Sequence, residues 1–386
     1  NCWPSVNFDI GAINNFLNKF FPAGFYYKTF MWPKSFWYKI YEPFIRKAAG
    51  FGVVSTKHDN ERYEHKYEYC DLLITGSGPS GLASAYAAAK NGARVILAED
   101  KSRFGGSLLT SEVSIGNQNG KDWADNIIGE LKEMPNVTVK NRAQVFGYYD
   151  HNMLVMSERL SDHLPKSKKY TPKQRLWYIR AKEVIISTGS IERPIVFGNN
   201  DTPGVVLASA AKEYLKVYGV LVGKKPLIFT NNDSAYETAI EFKKNNINPI
   251  ILDTRKNPES EIISEAKNMG IEMKFSYVVV AAKGYKKVNS AEIANISEDK
   301  KDLGKIENIN CDCICVSGFW TPTIHLASQS GNKTKFNEEI DAFVPGKSKQ
   351  NETTVGSANG IFSLEKTLTT AFEKGHEISK KITNKD

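Results

Sequence analysis

Short apolar runs separated by glycine turns dominate the chain from Cys70 onward. Cys70–Thr75 is such a run and ends at a glycine, and Arg94–Ala98 is another. Between them, Gly81–Lys90 is rich in alanine and stops at Asn91-Gly92. The pattern predicts strand, turn, helix and strand, a βαβ unit of about 30 residues that is typical of a parallel, doubly wound sheet.

A second unit of this kind follows, with predicted strands Pro226–Thr230 and Pro249–Asp253 on either side of a helix, Ser234–Asn246. Glu183–Ser187 and Ile314–Ser317 are further predicted buried strands. The predicted fold is α/β, with two dinucleotide-binding (Rossmann) domains as in FAD/NAD(P)-binding flavoproteins. The first domain is expected to cover 69–205 and 306–386, with the second inserted at 206–305.

The first 68 residues have a different composition and no helical or strand period. Eleven aromatic residues lie between Phe21 and Phe44, together with three prolines and three lysines. Such a segment cannot form its own core and must bury its rings elsewhere. It is either an extended aromatic arm wrapped over its own domain or a docking surface for a second subunit. His58–Glu68 is predicted to be a polar linker, so that arm and linker together cover 1–68.

The turn after the first strand carries the G-x-G-x-x-G motif of dinucleotide-binding folds, as Gly76-Ser77-Gly78-Pro79-Ser80-Gly81. The first glycine permits a tight turn, the second lets the backbone approach a pyrophosphate, and the third lets helix and strand pack closely. At the end of the second strand, Glu99 can bind the ribose hydroxyls of the adenosine. Asp100 and Arg103 join the predicted site, and Lys101 and Arg103 leave a preference for NADP open. A glycine turn without a ligand is the alternative.

Weaker motifs follow in the order that two-domain flavoproteins of this fold show. A glycine pair stands after the second strand, a Thr-Gly turn opens a loop that continues to Arg193-Pro194, and a glycine turn lies at Gly356–Gly360. The predicted cofactor-binding set is completed by Gly105, Gly106, Ser107, Val145, Thr188, Gly189 and Gly356.

The second βαβ unit lacks the glycines of the first. Residues 230–237 read Thr-Asn-Asn-Asp-Ser-Ala-Tyr-Glu. Side chains at these positions obstruct the close approach of a pyrophosphate. We therefore expect a fold that has kept its shape and lost or rebuilt its nicotinamide site, which counts against a working NAD(P)H reductase.

Composition excludes several classes of protein. Apolar residues make up 41% and charged residues 24%, as in ordinary globular proteins. The net charge of +8 forms no long basic tract, so no nucleic-acid partner is expected. Apolar runs fall far short of the about 18 residues of a membrane span, and the amino terminus does not resemble a signal peptide. Five cysteines make no disulfide framework, which favours a reducing, cytoplasmic location.

No catalytic or metal-binding constellation is legible in the sequence. Cys311, Cys313 and Cys315 are spaced by two on a predicted strand, which puts their thiols on one face. They are interpreted as small apolar strand residues rather than as a redox or metal group. The six histidines are scattered, and His325 is interpreted as a structural group near the cofactor. No metal site is predicted, and the catalytic residues stay unknown.

The sequence resembles the α subunit of heterotetrameric sarcosine oxidase across essentially its whole length. The segments that carry the resemblance include CWPSVNFDIGAINNF, FPAGFYYKTFMWP, CDLLITGSGPSGL, TNNDSAYE, SGFWTPTIHLASQSG and VGSANG. The resemblance implies a subunit of a complex that demethylates sarcosine to glycine, with tetrahydrofolate and oxygen as acceptors. It also implies two kinds of partner, a β subunit that oxidises the amine at FAD and small accessory subunits. For the cofactors it implies FMN at the boundary with the β subunit and NAD in the glycine motif described above.

Two departures from the family's pattern matter. The ferredoxin-like and aminomethyltransferase domains of the family's α subunit are absent from this sequence, so only the middle part is matched. The turn Gly356–Gly360 lacks the aspartate that usually binds the ribityl chain of FAD, which favours NAD and leaves FAD as the alternative. An independent flavin-dependent NAD(P)H oxidoreductase and a non-catalytic dinucleotide-binding assembly protein are the competing functions.

Overall fold

The computed structural model describes residues 2–5, 8–20, 24, 29–165, 170–299 and 301–383. The chain divides into two compact units, Asn1–Asn60 and Glu61–Asp386. The predicted aromatic arm belongs to the first unit, and its positions 21–23 and 25–28 lie outside the described residues.

The first unit is built from short helical segments. These are the 3-10 turns Ile10–Asn15, Asn18–Phe20 and Lys34–Phe36, a turn of π-helix at Trp37–Tyr41, and the α-helix Glu42–Ala49. The ring of Tyr41 packs against those of Phe30 and Phe36, with centroids 5.3 and 6.2 Å away. None of the described residues of this unit is buried, as expected of a segment without a core of its own.

A seven-stranded sheet, here called the first sheet, forms the core of the second unit. Five of its strands pair in parallel, and a two-stranded hairpin at one edge joins them through antiparallel pairing. In spatial order the strands are Val137–Lys140, Val95–Ala98, Tyr63–Thr75, Gln174–Ile186, Met153–Arg159 and Ala143–Tyr149, with Glu352–Thr354 also paired to Gln174–Ile186.

A second sheet has five parallel strands, and a separate antiparallel sheet of three strands lies in the chain between the fourth and fifth of them. The parallel strands, in spatial order, are Val205–Leu207, Cys313–Ser317, Pro226–Thr230, Ile250–Asp253 and Glu272–Phe275. The antiparallel strands are Tyr277–Lys283, Ser290–Asn295 and Glu307–Asn310. Two-stranded pairs complete the strands: Ser114–Ile115 with Gln118–Asn119, Ser190–Glu192 with Trp320–Pro322, and Lys335–Asn337 with Ala342–Val344.

Helices connect and cover both sheets. The α-helices are Pro79–Lys90, Gly120–Glu133, Ala208–Tyr218, Ser234–Lys244, Glu261–Asn268, His325–Gln329 and Leu364–Thr383, and 3-10 turns occur at Gly106–Leu109 and Gly356–Asn359. The arrangement confirms the predicted α/β fold with parallel, Rossmann-like sheets.

Small residues bring the last helix close to the helix that follows the glycine motif. A Cβ on Gly375 would clash with the backbone of Ser84, and the Ser84 hydroxyl donates a hydrogen bond of 2.8 Å to the Ala371 carbonyl. Leu72 and Leu97 of the first sheet are fully buried in the same core. The helix Pro79–Lys90 is therefore fixed between the sheet and Leu364–Thr383.

Two sequence-based expectations are wrong. Residues 63–68, expected as linker, belong to the strand Tyr63–Thr75 because they pair in register with Gln174–Ile186. Cys313–Ser317, assigned to the returning part of the first domain, instead pairs with Val205–Leu207 and Pro226–Thr230 in the second sheet. The expected boundary at 305/306 therefore falls too early in the chain.

Candidate dinucleotide-binding site

The residues Gly76–Gly81, here called the glycine loop, make the turn between the strand Tyr63–Thr75 and the helix Pro79–Lys90. Gly76 has φ +100°, and a Cβ there would clash with the carbonyl of Ser187. A Cβ on Gly81 would clash with the carbonyl oxygen of Gly76. Both glycines are therefore required by the packing of the loop itself, whatever it binds.

Gly78 differs from the other two glycines because, apart from its two chain neighbours, no described residue has an atom within 4 Å of the position that its Cβ would take. It is the N-cap of the helix Pro79–Lys90, and no side chain caps that helix end. Uncapped N–H groups and the positive end of the helix dipole form a site suited to an anion. Open space beside Gly78 therefore lies at the amino-terminal end of this helix.

A second loop lies directly against Gly78. The Gly105 amide donates to the Ser77 carbonyl at 3.0 Å, and a Cβ on Gly106 would be 2.8 Å from the Gly78 Cα. Gly105 and Gly106 both have positive φ, at +116° and +56°. The predicted glycine pair is thus brought to the glycine loop. Ser107 is exposed, and its carbonyl accepts from the Thr110 amide at 3.1 Å.

Glu99 follows the strand Val95–Ala98 and is 7% exposed. Its Oε2 accepts from the amide and hydroxyl of Ser77 at 2.9 and 2.6 Å, and its Oε1 accepts from the Lys101 amide at 2.9 Å. Burial, assisted by a hydrogen bond with Asp100, raises the pKa of Glu99. The carboxyl group is therefore held beside the glycine loop, at the point where adenosine ribose hydroxyls bind in this fold.

Two further turns meet the start of the helix Pro79–Lys90. A Cβ on Gly356 would lie 2.6 Å from the Ser80 hydroxyl, and one on Gly189 would lie 3.9 Å from the Ser357 hydroxyl. Thr188 donates from its hydroxyl to the Thr323 carbonyl at 2.8 Å. The structure thus brings the Thr188-Gly189 and Gly356 turns together with the glycine loop.

The other predicted site residues lie at the margin of this cluster. Asp100 and Arg103 are exposed, and the Asp100 carbonyl accepts from Arg159 at 2.7 Å. Val145 is half-buried and packs against the hydrophobic core of the first sheet. It lies two residues after Ala143, whose amide donates to the Glu99 carbonyl at 2.7 Å.

Sequence reasoning missed Ser187. Its hydroxyl donates to the carbonyls of Thr75 and Gly76 at 2.8 and 2.9 Å, which ties the glycine loop to the end of Gln174–Ile186. The only signal was its position directly before the Thr188-Gly189 turn. That signal is weak because serine is common at strand ends.

The corresponding loop of the second sheet, Asn231–Tyr236, is filled by its own side chains. Asn232 donates to the Ser317 carbonyl and hydroxyl at 3.2 and 3.1 Å. The Ser234 hydroxyl accepts from the indole N–H of Trp320 at 3.0 Å. Tyr236 stands where the third glycine stands in the first loop, and it is fully buried.

The charged groups of the second loop also have partners within the protein. The Tyr236 hydroxyl donates to Asp253 at 2.8 Å, and Arg255 pairs with both Asp253 and Asp233 at 2.8 Å. Asp233 occupies the position that matches Gly78. Asp233 and Tyr236 therefore stand at positions that are glycine in the first loop, and both side chains have partners within the protein.

The three clustered cysteines do not share one face. Cys313 and Cys315 lie in the strand Cys313–Ser317 and pack in one hydrophobic cluster, whereas Cys311 precedes the strand and packs in another. Burial raises the pKa of Cys311 to about 12, so its thiol is inert at neutral pH.

Among the described residues, no three or more His, Cys, Asp or Glu side chains are grouped so as to hold a metal ion.

No helix in the described part of the chain has the length and apolar character needed to cross a membrane.

The fold and the glycine loop define a class, that of FAD/NAD(P)-binding oxidoreductase folds. The chain belongs to the pyridine nucleotide-disulphide oxidoreductase family, whose model matches residues 70–345. Among solved structures it resembles the thioredoxin reductase of T. acidophilum, with a TM-score of 0.62 and 16% identity over 81% of this chain and 98% of that one. That likeness concerns the fold alone.

More specific relatives confirm the resemblance stated from the sequence. The chain is 41% identical to the sarcosine oxidase subunit alpha of Rhizobium meliloti (strain 1021), over 93% of this chain and 35% of that protein. It is 34% identical to the sarcosine oxidase subunit alpha of Corynebacterium sp. (strain P-1), over 84% of this chain and 34% of that protein. The chain thus spans about a third of the length of these curated relatives.

Proposed function

We propose that the chain is the dinucleotide-holding part of a sarcosine-oxidase-like flavoenzyme complex, and that it binds NAD in the glycine loop. The observation that carries this proposal is the open space beside Gly78 at an uncapped helix end. The 41% identity to a sarcosine oxidase subunit alpha supports the choice of complex.

NAD is favoured over FAD by the last glycine turn. Ser357 follows Gly356, at a position where an aspartate would bind the ribityl chain of a flavin. The adenosine half of either cofactor needs only the glycine loop and Glu99. In this proposal Glu99 accepts the ribose hydroxyls, and the amides at the start of Pro79–Lys90 neutralise the pyrophosphate.

The chain's own residues bind and orient the dinucleotide. A bound nicotinamide or flavin ring supplies the capacity to accept and donate hydride. The filled second loop, with Tyr236 and Asp233 in glycine positions, counts against delivery of hydride from a second nicotinamide dinucleotide. By resemblance to sarcosine oxidase, oxidation of sarcosine is assigned to a flavin-bearing β subunit, with FMN at the boundary between the two subunits. This chain alone is expected to be inactive.

The dinucleotide site is tested by Gly78→Val in the full chain. The side chain would enter the open space beside the helix end, so we expect loss of dinucleotide from the purified protein. Gly129→Val, the same change at an exposed glycine of the helix Gly120–Glu133 whose Cβ position is also open, is the control and should keep the ligand. Retention of one dinucleotide per chain by Gly78→Val would overturn the assignment.

We assign the contact with the β subunit to the aromatic arm, Phe21–Phe44. Trp32 and Tyr38 are each 83% exposed, and aromatic side chains dominate the binding energy of protein interfaces. Phe25 and Tyr26, two further rings of the arm, lie outside the described residues. The lysines among these rings would suit the phosphate of FMN.

Replacing Trp32 and Tyr38 together by alanine should weaken capture of a co-expressed β subunit by about tenfold or more. Dinucleotide content should stay unchanged. Tyr285→Ala, which removes a 70% exposed ring from the second unit, is the matched control. Equal capture by wild-type protein and the double variant would exclude these rings as the interface.

A further inference from the structure

The loop 101–112, here called the covering loop, lies on the dinucleotide site. It contains Gly105 and Gly106, which contact Ser77 and Gly78 as described above. Leu108 is buried in the core of the first sheet, at 2% exposure. The position of this loop therefore decides how much room remains beside Gly78.

The beginning of the covering loop is tied to a helix of the second sheet. The Lys101 ammonium group contacts both carboxylate oxygens of Glu213, at 2.9 and 3.1 Å. Glu213 lies on the helix Ala208–Tyr218. The amide of the same lysine donates to Glu99, so one residue links the second domain to the carboxylate of the proposed ribose site.

The end of the covering loop is tied to two helices of the second sheet. The Ser111 hydroxyl donates to Glu237 at 3.2 Å, and Glu237 forms an ion pair with Lys212. The next residue, Glu112, pairs with Lys216 at 3.1 Å and also with Lys244.

Two lysines of this network are better shielded than ordinary surface lysines, whereas Lys101 and Glu112 themselves are 56% and 52% exposed. The side chains of Lys212 and Lys216 are only 10% and 19% exposed. Lys216 is also held by Glu241 at 3.1 Å. Partly buried pairs that form a network are worth more than isolated exposed ones, whose contribution is close to zero.

We propose that the second domain, whose own loop is filled, serves to brace the covering loop over the dinucleotide of the first domain. Glu112 and Lys101 are the positioning residues, because they join the two ends of the covering loop to the second domain. The proposal rests on the proposed dinucleotide site and gives the second domain a role other than binding a nucleotide. The opposing view is that Leu108 and the first core hold the loop unaided.

The brace is tested by Glu112→Lys, which brings a third positive charge to Lys216 and Lys244. Hydrogen exchange of the amides of residues 105–109 is measured on the full chain freed of ligand, so this readout does not depend on the cofactor. We expect exchange to rise about fivefold or more. The further change Lys244→Glu restores an opposite charge while Lys216 keeps Glu241, and it should return much of the protection.

Asp125→Lys is the matched control, because it turns the exposed pair between Lys121 and Asp125 into a repulsion on a helix of the first domain. It should leave exchange at residues 105–109 unchanged. Unchanged exchange in Glu112→Lys, in a chain that melts like wild type, would overturn the brace. Faster exchange in both variants alike would also overturn it, because the effect would then be general.

A second readout separates the brace from the proposed function. When both proteins are loaded with NAD, the dinucleotide should dissociate from Glu112→Lys about fivefold or more faster than from the wild-type chain. If wild-type protein binds no dinucleotide while the exchange result holds, the proposed function fails and the brace stands. If wild-type protein binds NAD and both readouts are unmoved by Glu112→Lys, the brace fails and the proposed function stands.

Discussion

The three glycines of the glycine loop have different physical roles. Gly76 and Gly81 are required by the protein's own backbone, since a Cβ on either would clash with a carbonyl group. Gly78 has an ordinary φ of −68° and open space beside it. The first and third glycines are therefore needed for the fold, and the second is the one to which the proposed function gives a role in binding.

This difference predicts that two alanine substitutions lower the free energy of unfolding by different amounts. Gly81→Ala forces a methyl group against the Gly76 carbonyl and should lower the free energy of unfolding by about 1–3 kcal/mol. Gly78→Ala should change it by less than about 1 kcal/mol. Urea unfolding of both variants without ligand measures the contrast. Equal losses would mean that Gly78 is also structural.

At the scale of elements, the sequence predicted what short-range pattern determines. The βαβ units were legible because apolar runs end at glycine turns, and the predicted strand Pro226–Thr230 has the observed bounds. Residues 63–68 read as linker because their charged residues alternate with tyrosines. They form a β-strand because they pair with Gln174–Ile186, which is distant in the sequence, and the local pattern contains no sign of that pairing.

The candidate site was predictable to the same degree. The glycine loop, Glu99 and the glycine pair come from motifs with fixed spacing, and the structure brings them together. Ser187 could not be predicted, because its role depends on which strand ends beside the glycine loop. The ties of Glu112 and Lys101 to the second domain are equally hidden, since they join residues more than a hundred positions apart.

The network around Glu112 predicts a dependence of stability on pH. Hydrogen bonds from Lys244 and Lys216 hold the pKa of Glu112 below its usual 4.5. The unfolded chain therefore takes up this proton first as the pH falls. The stabilisation is fully present above about pH 4.5 and is lost as the pH falls through the lowered pKa. The melting temperatures of wild-type protein and Glu112→Gln should differ at pH 7, and the difference should shrink as the pH falls below about 4.5. A difference that stays constant would contradict this.

At the scale of the molecule, the chain combines one loop with the glycines of a dinucleotide motif and one whose glycine positions carry side chains. Relatives named sarcosine oxidase subunit alpha are about three times as long. A chain of this kind is suited to holding a cofactor within a larger assembly, and the exposed aromatic rings of the first unit would supply a contact surface. The second domain then contributes by holding the covering loop.

The identity of the bound cofactor tests this account most directly. The full chain is purified, its ligand is released with acid, and the ligand is identified by mass and by absorbance. We predict one NAD per chain, which absorbs at about 260 nm and has no flavin band at about 450 nm. A flavin at one per chain, or a chain that retains no dinucleotide and binds none when NAD is added, would contradict it.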